Sequence, residues 1–253
     1  MNQGIRARGP GVIVERSPGH GGRVAEYEHH VDPIGARPQL KDLAFERLRA
    51  FIVTGQLSPG ETIREAAWSA RLGVSKTPIR EAFVRLEQEG FVRLEPYRGA
   101  IVSGYDLKDL DEIFEVREIL EGAMARRVAQ TQPAGIIDRL AANLRCGETA
   151  LADGDNDGAS TSMRQFDAIL FSDIGNARLE AVIDQIRSHV ERIGHLAAPE
   201  KIDRIEDALI HQRGIVEAIA AGRPATAERL MRRHVRAVKS NAVAGMRASG
   251  TLN

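Results

Sequence analysis

Gly73 to Gly99 reads GVSKTPIREAFVRLEQEGFVRLEPYRG. Thr77-Pro78 predicts a helix start, because proline suits a first turn whose backbone N–H groups have no intrahelical partner and threonine caps exposed donors. Ile79, Ala82, Phe83 and Leu86 recur at three- and four-residue spacing. One face of this helix therefore packs on a core, leaving Lys76, Thr77 and Arg80 on an exposed, cationic and hydroxylic front end. Gly90 ends the helix. The alternation Phe91-Val92-Arg93-Leu94-Glu95, broken at Pro96 to Gly99 and resumed at Ala100-Ile101-Val102, predicts a β-hairpin with Arg98 at its tip.

Upstream, Ala44, Leu48, Phe51 and Ile52 mark an amphipathic helix, and Leu57-Ser58-Pro59-Gly60 a turn. Ile63 to Leu72 is expected as a second helix, with Gly73-Val74-Ser75 as the tight connection to the third. Helix, helix, turn, helix and hairpin make a winged helix-turn-helix, expected over residues 39–104. The stretch closely resembles the DNA-binding domain of the GntR family of bacterial transcription regulators. The matching pattern is Pro59-Gly60, then Gly73 to Ala82, then Arg85 to Gly90, and Gly99 in the wing.

A helix entering the major groove needs short polar groups and helix-end N–H donors for phosphates, and a bidentate cation for guanine. Arg80 is the candidate base reader, Ser75 and Thr77 the phosphate anchors. Tyr97, Arg98 and Gly99 carry the wing toward the backbone or minor groove. Lys76 stands where relatives usually carry arginine, so it attracts phosphate or guanine without a planar fork. Ala66 stands where some relatives present a base-contacting arginine, so the operator sequence does not carry over from them.

The 253 residues suffice for two modest domains. Net charge is zero, yet residues 40–100 hold ten Lys/Arg against eight Asp/Glu, a mild local excess of +2. Affinity for DNA is then expected from a doubled reading head in a dimer more than from bulk charge. One cysteine, Cys146, excludes a disulfide framework and suits a reducing compartment. No apolar run approaches a membrane span, and the N-terminus lacks a signal peptide's apolar core, so a cytoplasmic protein without a membrane partner is expected. Residues 1–38, rich in glycine, arginine and proline, read as a disordered arm.

From residue 105 to residue 253 the pattern is helical throughout. Leu107, Leu110, Phe114, Leu120 and Met124 mark a long helix with Arg117 on its apolar stripe and Glu121 one turn on. A helix over Ile136–Leu151 and an acidic loop around Asp153–Gly158 follow. Met163, Phe166, Leu170 and Ile174 form the next face, with Asp167 on it and Gly175-Asn176 as its end. Leu179, Val182, Ile186, Val190 and Ile193 form another, with His189 beside it. Two last helices are separated at Gly222-Arg223-Pro224. Their registers place Gln212, not His211, and His234 inward, while His189, His195 and His211 are expected at the surface. The segment from Asp111 to Glu121 resembles the opening helix of the FCD effector domain, the all-helical module attached to many GntR winged helices.

Polar groups on apolar faces are costly unless paired. Arg117, Asp167, Gln212 and His234, on four helices, therefore predict a shared interior pocket. Arg117 suits a ligand carboxylate, since its fork matches that geometry in two bonds; pairing inside the bundle with Glu121 or Asp167 is the plain alternative. The FCD resemblance implies a metal, a small organic acid, or both at this place. The implied metal positions fall on Met163, Asp167, Gln212 and His234, and only His234 keeps the family's residue. Asp167 and His234 remain possible ligands, but Met163 and Gln212 are poor ones, so a divalent metal is disfavoured. The expected protein is a mainly α, homodimeric, metabolite-responsive regulator on double-stranded DNA with a small, anionic effector; repression relieved by ligand is what the resemblance implies. An enzyme in the helical domain tethered to DNA, and a winged-helix protein-interaction module, are the alternatives.

Overall fold

Three helices and a small sheet build the N-terminal part of the computed structural model, which describes residues 39–172, 175–197 and 202–252. They are α1 (Leu40–Val53), α2 (Glu65–Leu72) and α3 (Lys76–Gln88), with β1 (Thr62–Ile63), β2 (Val92–Glu95) and β3 (Gly99–Val102). The sheet order is β1-β3-β2, antiparallel throughout, with Ile63 opposite Ala100 and Val92 opposite Val102. Phe45, Leu48, Ile79, Phe83, Leu86 and Phe91 bury one shared core. The expected disordered arm, residues 1–38, lies outside the described residues.

Two expected starts move. The third helix begins at Lys76 with Ser75 in the extended cap position, not at Thr77. Thr77 and Pro78 sit within its first turn, where a missing N–H costs nothing. The second helix begins at Glu65, not Ile63, because Thr62 and Ile63 are held by the hairpin as a third strand.

Six further helices follow: α4 (Leu107–Thr131), α5 (Ile136–Ala152), α6 (Asn156–Leu170), α7 (Ala177–Leu196), α8 (Ile202–Ala220) and α9 (Pro224–Ser249). Asp106 and Asp109 cap α4 reciprocally, each carboxylate accepting from the other's backbone N–H at 2.8 Å. α4 runs along α9 and α5 along α6, and Leu110, Phe114, Phe166, Ile215 and Met231 meet between them.

Departures concentrate at α6 and α7. The acidic loop is shorter than expected, because α6 begins at Asn156 behind an Asp155 cap. Asn176 does not end α6; its side chain accepts from Arg178 and Leu179 and so starts α7. Ile174, read as part of the preceding stripe, lies outside the described residues. On α7 Ile183 is buried while Val182 is 44% exposed, and His189 is buried at 8%, not at the surface. His211 is half-buried, and His195 is exposed.

Candidate functional site

The front of α3 is open to solvent. Ser75, Lys76, Thr77 and Arg80 are all exposed, while Ile79, Ala82, Phe83 and Leu86 anchor the opposite face. Arg80 does not point free. Its Nε donates to Glu65 Oε2 of α2 at 2.7 Å, a partner other than its own-helix neighbours. Lys76 makes no ion pair among the described residues. At the wing, Tyr97 is fully exposed in a left-handed conformation (φ 64°) and Arg98 lies 3.5 Å from Glu95. Gly99 has φ 100°, and a Cβ there would meet the Ile63 carbonyl, so only glycine lets β3 approach β1. The structure thus brings the seven expected residues to two exposed prominences, the start of α3 and the wing tip.

Inside the bundle, α4, α6, α8 and α9 each contribute one of the expected polar residues. Arg117, 4% exposed, donates through Nη2 to Asp167 Oδ2 at 2.6 Å and through Nε to Glu121 Oε1. Gln212 donates to the Met163 carbonyl at 2.9 Å. His234 packs edge-on against His211, with ring centroids 5.9 Å apart. Burial pushes His234 down to about 4, with Asp167 opposing and Arg117 adding to the shift. Burial also raises the Glu121 carboxyl well above the ordinary range, against the pull of Arg117. Burial works against the Arg117 charge too, but Glu121 and Asp167 outweigh it and hold the guanidinium protonated.

Several of these groups keep an unused atom. Arg117 Nη1, Glu121 Oε2, Asp167 Oδ1, Gln212 Oε1 and His234 Nδ1 are buried without a hydrogen-bond partner among the described residues. Arg117, Glu121 and Asp167 line a small cleft of about 30 Å³ that opens to solvent and is also lined by Ile183, Ile186 and Val190 of α7. Gln212 and His234 lie behind it and do not line it. The donor set does not suit a resident metal. Asp167 is engaged by Arg117, Met163 and Gln212 fill two implied positions, and no group of three or more His, Cys, Asp or Glu able to hold an ion occurs among the described residues.

α7 carries a second polar cluster that sequence reading missed. His189 stacks on Phe91 of the reading head, with centroids 4.4 Å apart and planes 9° from parallel. Its Nε2 lies 2.8 Å from the Glu89 carbonyl and must donate to it, so Nδ1 accepts from the Tyr105 hydroxyl at 2.7 Å. Burial pushes His189 down to about 4 and Tyr105 up to about 12. Arg192, fully buried, donates to the Ser103 carbonyl and lies over the Tyr105 ring. Arg49 of α1 donates to Ser188 Oγ and to the Asp184 carbonyl. Residues 184, 188 and 192 thus face the head, while 183, 186 and 190 face the cleft on the other side of the same helix.

A winged helix-turn-helix with an open cationic front, joined to a helical bundle with a polar interior, is the architecture of a DNA-binding regulator. Residues 40–102 match the model of the bacterial regulatory proteins of the gntR family, and residues 112–237 match the FCD domain. An uncharacterized HTH-type transcriptional regulator from an unstable DNA locus of Streptomyces ambofaciens is 30% identical over 194 residues, 76% of this chain and 80% of that protein. Another HTH-type regulator, from the ttuE-ttuC' intergenic region of Agrobacterium vitis, is 40% identical over 86 residues, 34% of this chain and half of that protein's length. A crystal structure of a transcriptional regulator GntR from Rhodococcus sp. RHA1 has the same fold, with a TM-score of 0.64 at 23% identity, covering 81% of this chain and 97% of that one. The chain belongs to the GntR family, in its FCD-type branch, and is a transcription regulator, not an enzyme.

Proposed function

We propose that this regulator is an effector-controlled repressor that binds a short inverted repeat as a homodimer. Residues 39–104 read the DNA and residues 105–253 sense and dimerise. The observation that carries the reading is the front of α3, where Ser75, Lys76, Thr77 and Arg80 stand together in solvent on a helix whose other face is locked into the core. Arg80 reads a base edge, exchanging Glu65 for guanine. Lys76, Ser75 and Thr77 hold phosphates, and Tyr97, Arg98 and Gly99 bring the wing against the backbone. Exposed Val116 and Ile119 on α4 and Val182 on α7 supply an apolar face for the second copy.

The effector site is the interior cleft with Arg117 and Asp167, backed by Gln212 and His234, and the ligand is a small organic acid. Ligand binding shifts the population of head arrangements and thereby DNA affinity. The test is operator selection followed by anisotropy titration. Arg80→Ala should weaken specific binding by about 1–3 kcal/mol and narrow the gap to random duplex. An unchanged specificity ratio removes Arg80 as base reader. Binding that does not weaken with salt removes duplex DNA as the partner and favours a protein-interaction module. Arg117→Ala should leave ligand-free DNA binding intact and abolish the ligand response.

A further inference from the structure

The cleft is more selective than a cation waiting for a carboxylate. Two of the three guanidinium nitrogens of Arg117 are already committed, Nε to Glu121 and Nη2 to Asp167, so an incoming acid meets only Nη1. Of the unused oxygens beside it, Asp167 Oδ1 repels a bare carboxylate, and Glu121 Oε2 belongs to a carboxyl that burial biases toward its neutral form and that gains from a further cation beside it. They call for a donor. At the rim stands a second cation, Arg187, which also lines the cleft and acts electrostatically on Glu121. Two arginines and two acidic residues thus line one small space, and the rest of its wall is apolar, from Leu120, Phe171, Ile183, Ile186 and Val190. Arg187 is held at the rim by Asp184 at 3.3 Å, so the atoms left without a partner are Arg117 Nη1, Glu121 Oε2 and Asp167 Oδ1, and a ligand that offers a carboxylate alone serves only the first.

Resting on the reading that this cleft is the effector site, we propose that it takes a small aliphatic zwitterion of the amino-acid type. The carboxylate meets Arg117 Nη1 and Arg187, the ammonium meets Glu121 Oε2 and Asp167 Oδ1, and the side chain lies on the α7 wall. Such a ligand supplies donors for the two unused oxygens as well as acceptors for Arg117 Nη1.

The experiment is calorimetric titration of the full-length protein with matched triplets: valine, 3-methylbutanoate and 2-methylpropylamine; leucine, 4-methylpentanoate and 3-methylbutylamine. At least one amino acid should bind tenfold or more tightly than both of its counterparts and should change operator affinity. In Glu121→Gln, checked for native helicity and melting, that tenfold preference over the acid should collapse to about twofold, through weaker binding of the amino acid and not through loss of the acid. Equal binding of acid and amino acid overturns the zwitterion and leaves the organic-acid reading standing. Tightest binding by the amine overturns both. Silence from all six compounds, with operator binding intact, overturns the inference and leaves the organic-acid reading to the Arg117→Ala test.

Discussion

Replacing His189 with alanine tests whether the reading head is held to the helical bundle by the polar seam on α7. The imidazole stacks on Phe91 at 4.4 Å and makes bonds of 2.7 and 2.8 Å to Tyr105 and Glu89. Truncation strands the Tyr105 hydroxyl and the Glu89 carbonyl, worth about 1–3 kcal/mol each where neither relaxes to water. Loss of the stacked ring removes a further ~0.5–1.5 kcal/mol. With partial relaxation the net cost is about 3–5 kcal/mol. His189→Phe keeps the ring face and loses only the two bonds, so its cost should be about 2–3 kcal/mol. Denaturant unfolding of the full chain measures both, and limited proteolysis should find a new cut in the connection at residues 103–106. A loss below about 1 kcal/mol in His189→Ala, with an unchanged cleavage pattern, refutes the seam as a cohesive element.

Three other outcomes follow from the same geometry. His189 and His234 are both pushed down to about 4 by burial, so the unfolded chain takes up protons first as pH falls. Their contribution is complete above pH ~6.5 and is lost toward pH 4, at up to ~1.4 kcal/mol per pH unit for each; melting temperature against pH should show the fall, and His189→Gln and His234→Gln should each flatten it. Glu65→Gln releases Arg80 from an exposed ion pair worth up to ~1 kcal/mol, so specific operator affinity should rise about two- to fivefold; weaker binding in anisotropy would show that Glu65 positions Arg80 instead of competing for it. Gly99→Ala sets a side chain at φ 100° against the Ile63 carbonyl, and should cost about 1–3 kcal/mol in melting experiments while weakening operator binding through a displaced wing.

The reading head was legible because its elements are punctuated locally: Gly73 closes α2 in a left-handed turn, Gly90 follows α3, and Gly99 permits the wing. Strand β1 was not, since two residues carry no alternation and Thr62-Ile63 becomes a strand only when β3 arrives beside it. In the bundle, Arg117, Asp167, Gln212 and His234 betrayed themselves as polar residues on apolar stripes. Glu121 was visible only as a neighbour of Arg117, because pairing with an arginine four residues away describes a solvated helix equally well. α7 was hidden for a different reason. A stripe built from apolar residues alone set Val182 inward and missed Ile183, and it had no means to mark Ser188, His189 and Arg192, whose burial is created by a separate part of the chain. A histidine and an arginine one turn apart on an amphipathic helix is the signal that was available.

α7 touches the cleft on one side and the reading head on the other, and a helix moves as a rod. Whatever tilts or rolls it to suit a guest must disturb the grip on the head, and the converse holds equally. Thermodynamic reciprocity then sets a demand on the whole molecule: if a guest loosens operator binding by some factor, the operator must loosen the guest by that same factor. DNA occupancy would then enter the protein's chemical sensitivity as directly as a guest in the cleft would enter its grip on DNA.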